Sequence, residues 1–275
     1  MHFSVLGPLV MANGGKSFVP SAPKQRQLLA LLLVDANQSV SVDACIEELW
    51  ENRPPFSARS TLQTYVLHLR RAFSQIPEVG RLAEAKKILQ TGDRGYRLVV
   101  CDGALDLHTF ERLVERARTA LAAGDDRKGA ALLADALAVW RGPALADVQV
   151  GPLLQAHVVG LAEYRLHILE QRIEADLRLG RHHELVRELS ALTAQRPTHE
   201  NLHAQLMLAL YRSGRPAQAL EAFHRLRHVL SGELGLEPSP RMHRFHQAVL
   251  TGDSALETPV SAASPLTLDL SLSAG

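Results

Sequence analysis

Leu62-Gln63-Thr64-Tyr65-Val66-Leu67-His68-Leu69-Arg70-Arg71-Ala72-Phe73 is the stretch on which the reading of this chain turns. Leu62, Tyr65, Val66, Leu69 and Phe73 follow the spacing i, i+3, i+4, i+7, i+11, which draws one apolar stripe along a helix. The opposite side carries Ser60, Gln63, Thr64, Leu67 and Arg71, flanked by Thr61, His68 and Arg70. No acidic residue lies between Ser57 and Gln75. One face can pack on a core while the other offers donors and positive charge that a phosphate backbone does not repel. Ser57 is placed to cap this helix, which is predicted to run to about Ser74 before Pro77 closes it.

Upstream, His2 to Leu6 alternates loosely, and Leu9 to Met11 leads through Asn13-Gly14-Gly15 to Phe18-Val19, a hairpin signal because these turn residues tolerate positive φ. Gly15-Lys16-Ser17 imitates a phosphate loop, but that motif needs a glycine at position 10, which is Val10. From Pro23 the period turns helical, with Leu28, Leu31, Leu32 and Asp35 marking a helix over about 24–36. Ser39-Val40 is extended, Ser41 or Asp43 caps a helix reaching Trp50, and Pro54-Pro55 stops it. Downstream, Ile88 to Thr91, a turn at Gly92-Asp93-Arg94-Gly95, and Tyr96 to Val100 read as a β-hairpin. Strands, three helices and a closing hairpin give the element order of a winged helix-turn-helix. Lys24 and Arg26 sit at a helix start, where backbone amides already favour an anion. Arg94 lies at a hairpin tip, the part of a wing that reaches a minor groove.

After Gly103 the chain changes to alanine- and leucine-rich amphipathic helices without strand signals, expected over 106–123, 126–140, 154–180, 182–195, 199–213, 215–231 and 238–250. Gly180-Arg181 recurs as Gly214-Arg215, and at the same offset Leu185, Val186, Leu189 and Leu192 meet Ala219, Leu220, Phe223 and Leu226. The spacing Ala219-x-x-x-Phe223 and the later Pro197 match a tetratricopeptide pattern, although Met207 stands where that pattern prefers glycine. The expected fold class is therefore mainly α: an N-terminal winged helix-turn-helix (α+β) over 1–103, then an all-α tetratricopeptide-like domain over 104–250. A Ser-, Thr-, Ala- and Pro-rich disordered tail is expected over 251–275. A fragment ending near Gly103 is expected to fold and bind DNA by itself.

The 275 residues carry a net charge of +1, which hides +4 over residues 1–100 and −3 over the remainder. A basic module joined to an acidic one suits a nucleic-acid-binding domain coupled to something else. The longest apolar run, Leu28 to Val34, is too short for a membrane span, and no secretory signal is visible. Cys45 and Cys101 lie far apart with no CxxC, against a zinc ribbon or a disulfide scaffold. The expected location is the cytoplasm, associated with the nucleoid.

His199-Glu200-Asn201-Leu202-His203 is a literal HExxH, the spacing that puts two zinc-ligating histidines on one helix face. Neither a glycine nor a third histidine follows at the metzincin spacing, and 11 of the 13 histidines lie after residue 100, where chance pairs are frequent. His224 with His228, and His243 with His246, are read as surface pairs. No metal, cofactor or catalytic residue is expected, since no nucleophile–base pair has workable spacing. The competing reading is a tetratricopeptide scaffold whose first domain binds protein rather than DNA.

Leu62-Gln63-Thr64-Tyr65-Val66-x-x-Leu69-Arg70-Arg71-Ala72 with Gly95-Tyr96-Arg97 resembles the OmpR-type winged helix. Followed by Leu206-Met207-x-Ala209-Leu210-Tyr211-Arg212-x-Gly214-Arg215 and Gly232-Glu233-Leu234-Gly235-x-Glu237-Pro238, it resembles the SARP class of antibiotic regulatory activators, over about residues 3–250. In that class the second segment is the bacterial transcriptional activator domain. The resemblance implies binding to direct repeats in promoter DNA of biosynthetic genes, a homodimer on DNA, and recruitment of RNA polymerase holoenzyme. It further implies phosphate contacts from Thr61 and Arg70 and from the Trp50 indole, and a wing strand with Gln90 and Thr91 near DNA. The class's base-reading arginine falls at His68, which offers one hydrogen bond instead of a bidentate pair. Arg59 and Tyr96 complete the phosphate-and-wing set.

Overall fold

The computed structural model describes residues 1–257, which divide into two compact units. The first comprises Met1–Val114 and Asp135–His167; the second comprises Glu115–Ala134 and the chain from Ile168 onward. These boundaries depart from a cut at Gly103.

The first unit opens with an antiparallel sheet, β1 (His2–Ser4), β2 (Val10–Asn13) and β3 (Lys16–Ser17), turned by Gly14-Gly15. Helix α1 (Pro23–Val34) follows, with proline at its start where its missing N–H costs nothing. The helix expected over about 24–36 is present, and Gln27 to Leu33 are all buried, because α1 packs on α2 (Val42–Trp50), on α3 (Ala58–Ser74) and on the strand β6 (Gly95–Leu98). Ser41, not Asp43, caps α2, accepting from the Ala44 N–H at 3.0 Å. The second sheet has the order β4 (Ser39–Ser41), β6, β5 (Leu89–Thr91), all antiparallel. Gly95 is required at its centre: a Cβ there would stand 2.0 Å from the Val40 carbonyl oxygen. Leu62, Val66, Leu69 and Phe73 of α3 are buried as the stripe predicts, and Phe3 meets Phe73 edge to face at 6.2 Å.

A short helix, α4 (Leu82–Ile88), precedes β5 and was not expected. It carries no side-chain cap and buries Ala85 alone, so neither its ends nor its face announce it. The helices α5 (Asp106–Ala122), α6 (Asp126–Ala138) and α7 (Pro152–Arg178) all contain a boundary between the units.

In the second unit, α8 (His182–Gln195) packs on α9 (Glu200–Arg212), and α9 packs on α10 (Pro216–Val229). The repeated glycines have a shared cause: Gly180 and Gly214 take φ of +80° and +74°, and the next N–H closes back on the ending helix. Arg181 N–H donates to the Asp176 carbonyl and Arg215 N–H to the Leu210 carbonyl, the hydrogen bond that ends a helix in this way. A π-helical turn at Leu230–Leu234 links α10 to α11 (Pro240–Thr251), which Ser239 caps. Residues 251–257, assigned to the tail, are folded instead: Leu256 is 1% exposed and its carbonyl accepts from Arg212 Nε at 2.7 Å. The rest of the expected tail, 258–275, lies outside the described residues. Among the described residues no helix is long and apolar enough to cross a membrane.

Burial pushes the imidazoles of His182, His203 and His246 below the ordinary histidine value; Arg212 adds to the effect at His182, and at His203 hydrogen bonds to the backbone of Pro197 and Ala222 offset part of it. An unfolded chain takes up these protons near pH 6.5, whereas the fold takes them up at lower pH. Below neutrality the unfolded state therefore binds more protons, and stability falls as pH falls. Urea midpoints are expected to drop between pH 7.5 and 5.5, above the range where carboxylates titrate. A flat profile over that interval would contradict the burial of these rings.

Candidate nucleic-acid interface

The α3 helix presents two faces as its sequence requires. Opposite the buried stripe, Ser60, Gln63, Thr64 and Arg71 are exposed, and Leu67, His68 and Thr61 are half-buried. The Ser60 and Thr64 hydroxyls donate to the carbonyls of Ser57 and Ser60, a resting state that each can exchange for another acceptor. Thr61 Oγ1 lies 3.5 Å from Ser57 Oγ. Trp50, at the end of α2, stacks on Tyr65 of α3 with ring centres 6.2 Å apart. The turn between these helices leaves Phe56 fully exposed at 115%.

The β5–β6 hairpin forms the wing. Arg94, on its turn, is exposed and its side chain has no partner among the described residues. Gln90 is exposed, its amide donating to the Lys87 carbonyl. Arg70 bridges α3 and the wing: Nε and Nη2 donate to the Leu89 carbonyl at 2.9 and 2.7 Å, and Nη2 also reaches Thr91 Oγ1 at 2.7 Å. Its guanidinium fixes the wing against the helix, and partial burial lowers its pKa.

Several expected contacts are redirected. Arg26 pairs with the Asp147 carboxylate and also donates to the Asp147 carbonyl at 3.3 Å, so it ties the start of α1 to a later loop of the same unit. Lys24 donates to the Leu49 carbonyl and, at 3.2 Å, to Gln27 Oε1, which spends its charge on the end of α2. Tyr96 is 5% exposed, on the inner side of β6, and burial raises its pKa; it belongs to the core. Arg59 pairs with Asp43 at 3.0 Å, but both are over 70% exposed, and such a pair gives way to phosphate at small cost. Two exposed cations were given no DNA contact from the sequence, Arg53 in the α2–α3 turn and Arg97 on β6, the latter quoted there only within the Gly95-Tyr96-Arg97 motif. The signal for Arg97 was the alternation along β6, in which it points away from buried Tyr96 and Leu98. Gln25 on α1 also escaped notice: its Nε2 lies 2.8 Å from His68 Nδ1.

The HExxH residues are engaged elsewhere in the fold. Glu200 accepts from the Ser239 N–H at 2.8 Å and from the Ser239 hydroxyl, at the start of α11. His203 is buried with Nε2 3.1 Å from the Pro197 carbonyl, and His199 lies 3.5 Å from Glu170. Among the described residues no group of three His, Cys, Asp or Glu side chains is arranged to hold a metal. Cys45 is buried, which pushes its thiol up to about 12 and leaves it unreactive.

Comparison with known proteins follows the same two segments. Residues 15–98 match the family described as transcriptional regulatory protein, C terminal, and residues 105–250 match the bacterial transcriptional activator domain. The chain is 46% identical over 257 residues to the regulatory protein DnrI of Streptomyces peucetius, covering 94% of each. It is 38% identical to the regulatory protein AfsR of Streptomyces coelicolor, over 93% of this chain but 25% of that one. A solved structure, Mycobacterium tuberculosis EmbR in complex with a low affinity phosphopeptide, superposes with a TM-score of 0.85 at 33% identity, covering 93% of this chain and 68% of that one.

Proposed function

Because the chain belongs to the SARP family of transcription regulators, an OmpR-type winged helix followed by a bacterial transcriptional activator domain, we propose that it binds direct repeats in promoters of biosynthetic genes and recruits RNA polymerase there. It is a transcriptional regulator and not an enzyme, and no cofactor enters this reading. The observation that carries the DNA contact is the acid-free exposed face of α3, Ser60, Gln63, Thr64 and Arg71, backed by buried Leu62, Val66, Leu69 and Phe73 and braced to the wing through Arg70. A helix so held enters a major groove as a rigid body, while Arg94 on the wing tip meets the neighbouring minor groove or its phosphates. Thr61, Arg59, Trp50, Gln90 and Thr91 supply the surrounding backbone contacts. Direct repeats call for two copies in tandem, with half-sites about 10–10.5 base pairs apart or a multiple of that. The protein acts in the cytoplasm, on the nucleoid.

Thr64→Ala and Arg71→Ala are each expected to weaken specific DNA binding by about 1–3 kcal/mol per base contact, with unchanged circular dichroism. Gel shifts on the chain's own upstream region, with footprints to locate the repeats, measure this. Folded variants with the parent's affinity would remove this face from the interface. A folded full-length parent that binds no DNA, with a protein partner whose binding is lost on substituting exposed residues of α3, would favour the scaffold reading.

A further inference from the structure

The pairing of Gln25 with His68 bears on which bases are read, and it rests on the DNA-binding role proposed above. His68 Nδ1 faces the Nε2 atom of Gln25 at 2.8 Å, across the packing of α1 on α3. The Gln25 amide is turned with Nε2 and not Oε1 toward the ring, and in that orientation, since an amide nitrogen carries donors and no acceptor, the imidazole nitrogen facing it accepts. A neutral imidazole has a single N–H, and with Nδ1 accepting, that proton resides on Nε2. Nε2 lies on the opposite side of the ring and has no partner among the described residues. The ring itself is half-buried on the flank of the exposed face, next to Leu67 and one turn from Thr64 and Arg71.

We propose that Gln25 and His68 act as one reading unit: Gln25 fixes the tautomer, and His68 donates a single hydrogen bond from Nε2 to a base acceptor in the major groove. The acceptors available there are N7 or O6 of guanine, N7 of adenine and O4 of thymine, whereas cytosine presents the N4 amino donor. The unit therefore rejects cytosine at one position of the contacted strand and discriminates weakly among the other three bases. Gln25 touches no base; it is a positioning residue. Its neighbours on α1, Lys24 and Arg26, are held by other partners, which keeps the amide from competing charges.

The test combines spectroscopy with base preference. Nitrogen-15 shifts of labelled histidine in the full-length protein, at mildly alkaline pH, report the His68 tautomer when compared with His68→Ala. Selection from a randomised half-site then compares the parent, Gln25→Ala, His68→Ala and His68→Arg. We expect the Nε2–H tautomer in the parent and cytosine excluded at one position by about fivefold, the lower end for a single good base contact. That exclusion should vanish in both alanine variants, with the other positions and the salt dependence of binding unchanged, and the double variant should lose nothing more. His68→Arg should turn the same position into a guanine preference, and it remains decisive if Gln25→Ala folds poorly. An Nδ1–H tautomer, or a selective parent whose preference survives Gln25→Ala and His68→Ala, would overturn this inference alone. A parent without any sequence preference would overturn it together with the DNA-binding reading.

Discussion

A fragment ending at Gly103 is expected to lose most of its stability, against the expectation that a winged helix cut there folds by itself. The N-terminal sheet is completed by residues beyond the cut. The buried Asp106 carboxylate accepts from the Val5 and Leu6 N–H groups at 2.8 and 3.0 Å, and Asp147 accepts from the Leu9 N–H at 2.7 Å. Phe3 donates its N–H to the Ala104 carbonyl, while Arg141 and Leu145 donate theirs to Leu6 and Val5. Truncation leaves the amides of Phe3, Val5, Leu6 and Leu9 without acceptors at buried positions, at about 1–3 kcal/mol each. Phe3 and Leu6, which these bonds hold, are both 0% exposed in the whole chain. Since a whole domain is stable by about 5–15 kcal/mol, little is left. Urea titration of the fragment beside the full chain checks this: the fragment should show no cooperative transition, or one at far lower denaturant. Asp106→Ala in the full chain isolates part of the effect, with an expected loss of about 2 kcal/mol or more. A fragment as stable as the full-length first unit would mean these acceptors contribute little.

Glu48→Ala is expected to be the most damaging single substitution in the first unit. Glu48 lies on α2 and is 1% exposed. Its carboxylate accepts from the N–H groups of Gly151, Leu153 and Leu154 at 2.6, 3.0 and 3.0 Å, and from Gln27 Nε2 at 2.8 Å. These amides belong to the first turn of α7, where four N–H groups lack partners inside the helix and the dipole favours an anion. The approach is so close that a Cβ on Gly151 would stand 2.2 Å from the Glu48 carbonyl oxygen, which explains the glycine. Removing the carboxylate orphans three amides, while Gln27 keeps its bond to the Glu48 backbone carbonyl at 2.7 Å, for a loss of about 3–5 kcal/mol after relaxation. Glu48→Gln keeps the shape but turns an amino group toward donors, and should lose an intermediate amount. Chemical denaturation of both variants decides the matter. A loss below about 1 kcal/mol for Glu48→Ala would show that water replaces the carboxylate freely.

The α3 face, the wing hairpin and the paired helical repeats were legible because period, turn chemistry and capping act within a few residues of one another. Residues 62–73 alone specify which side of α3 is buried, since the apolar stripe can satisfy itself in no other way. The glycines at 180 and 214 likewise announce helix ends through their own backbone preference. α4 stayed hidden because a helix that buries one alanine is held by its neighbours and not by its own pattern. The candidate interface was legible as a set of residue types but not as a set of free groups. Lys24, Arg26 and Arg94 look alike in sequence, each a cation beside a helix start or a turn. The fold gives Lys24 to Leu49 and Arg26 to Asp147, 121 residues away, and leaves Arg94 exposed. A side chain's composition states which hydrogen bonds it can make; which partner comes within 3 Å depends on long-range packing that no local pattern encodes. The same reason hid Gln25 behind His68, and it joins residues 135–167 to the compact unit that holds the winged helix.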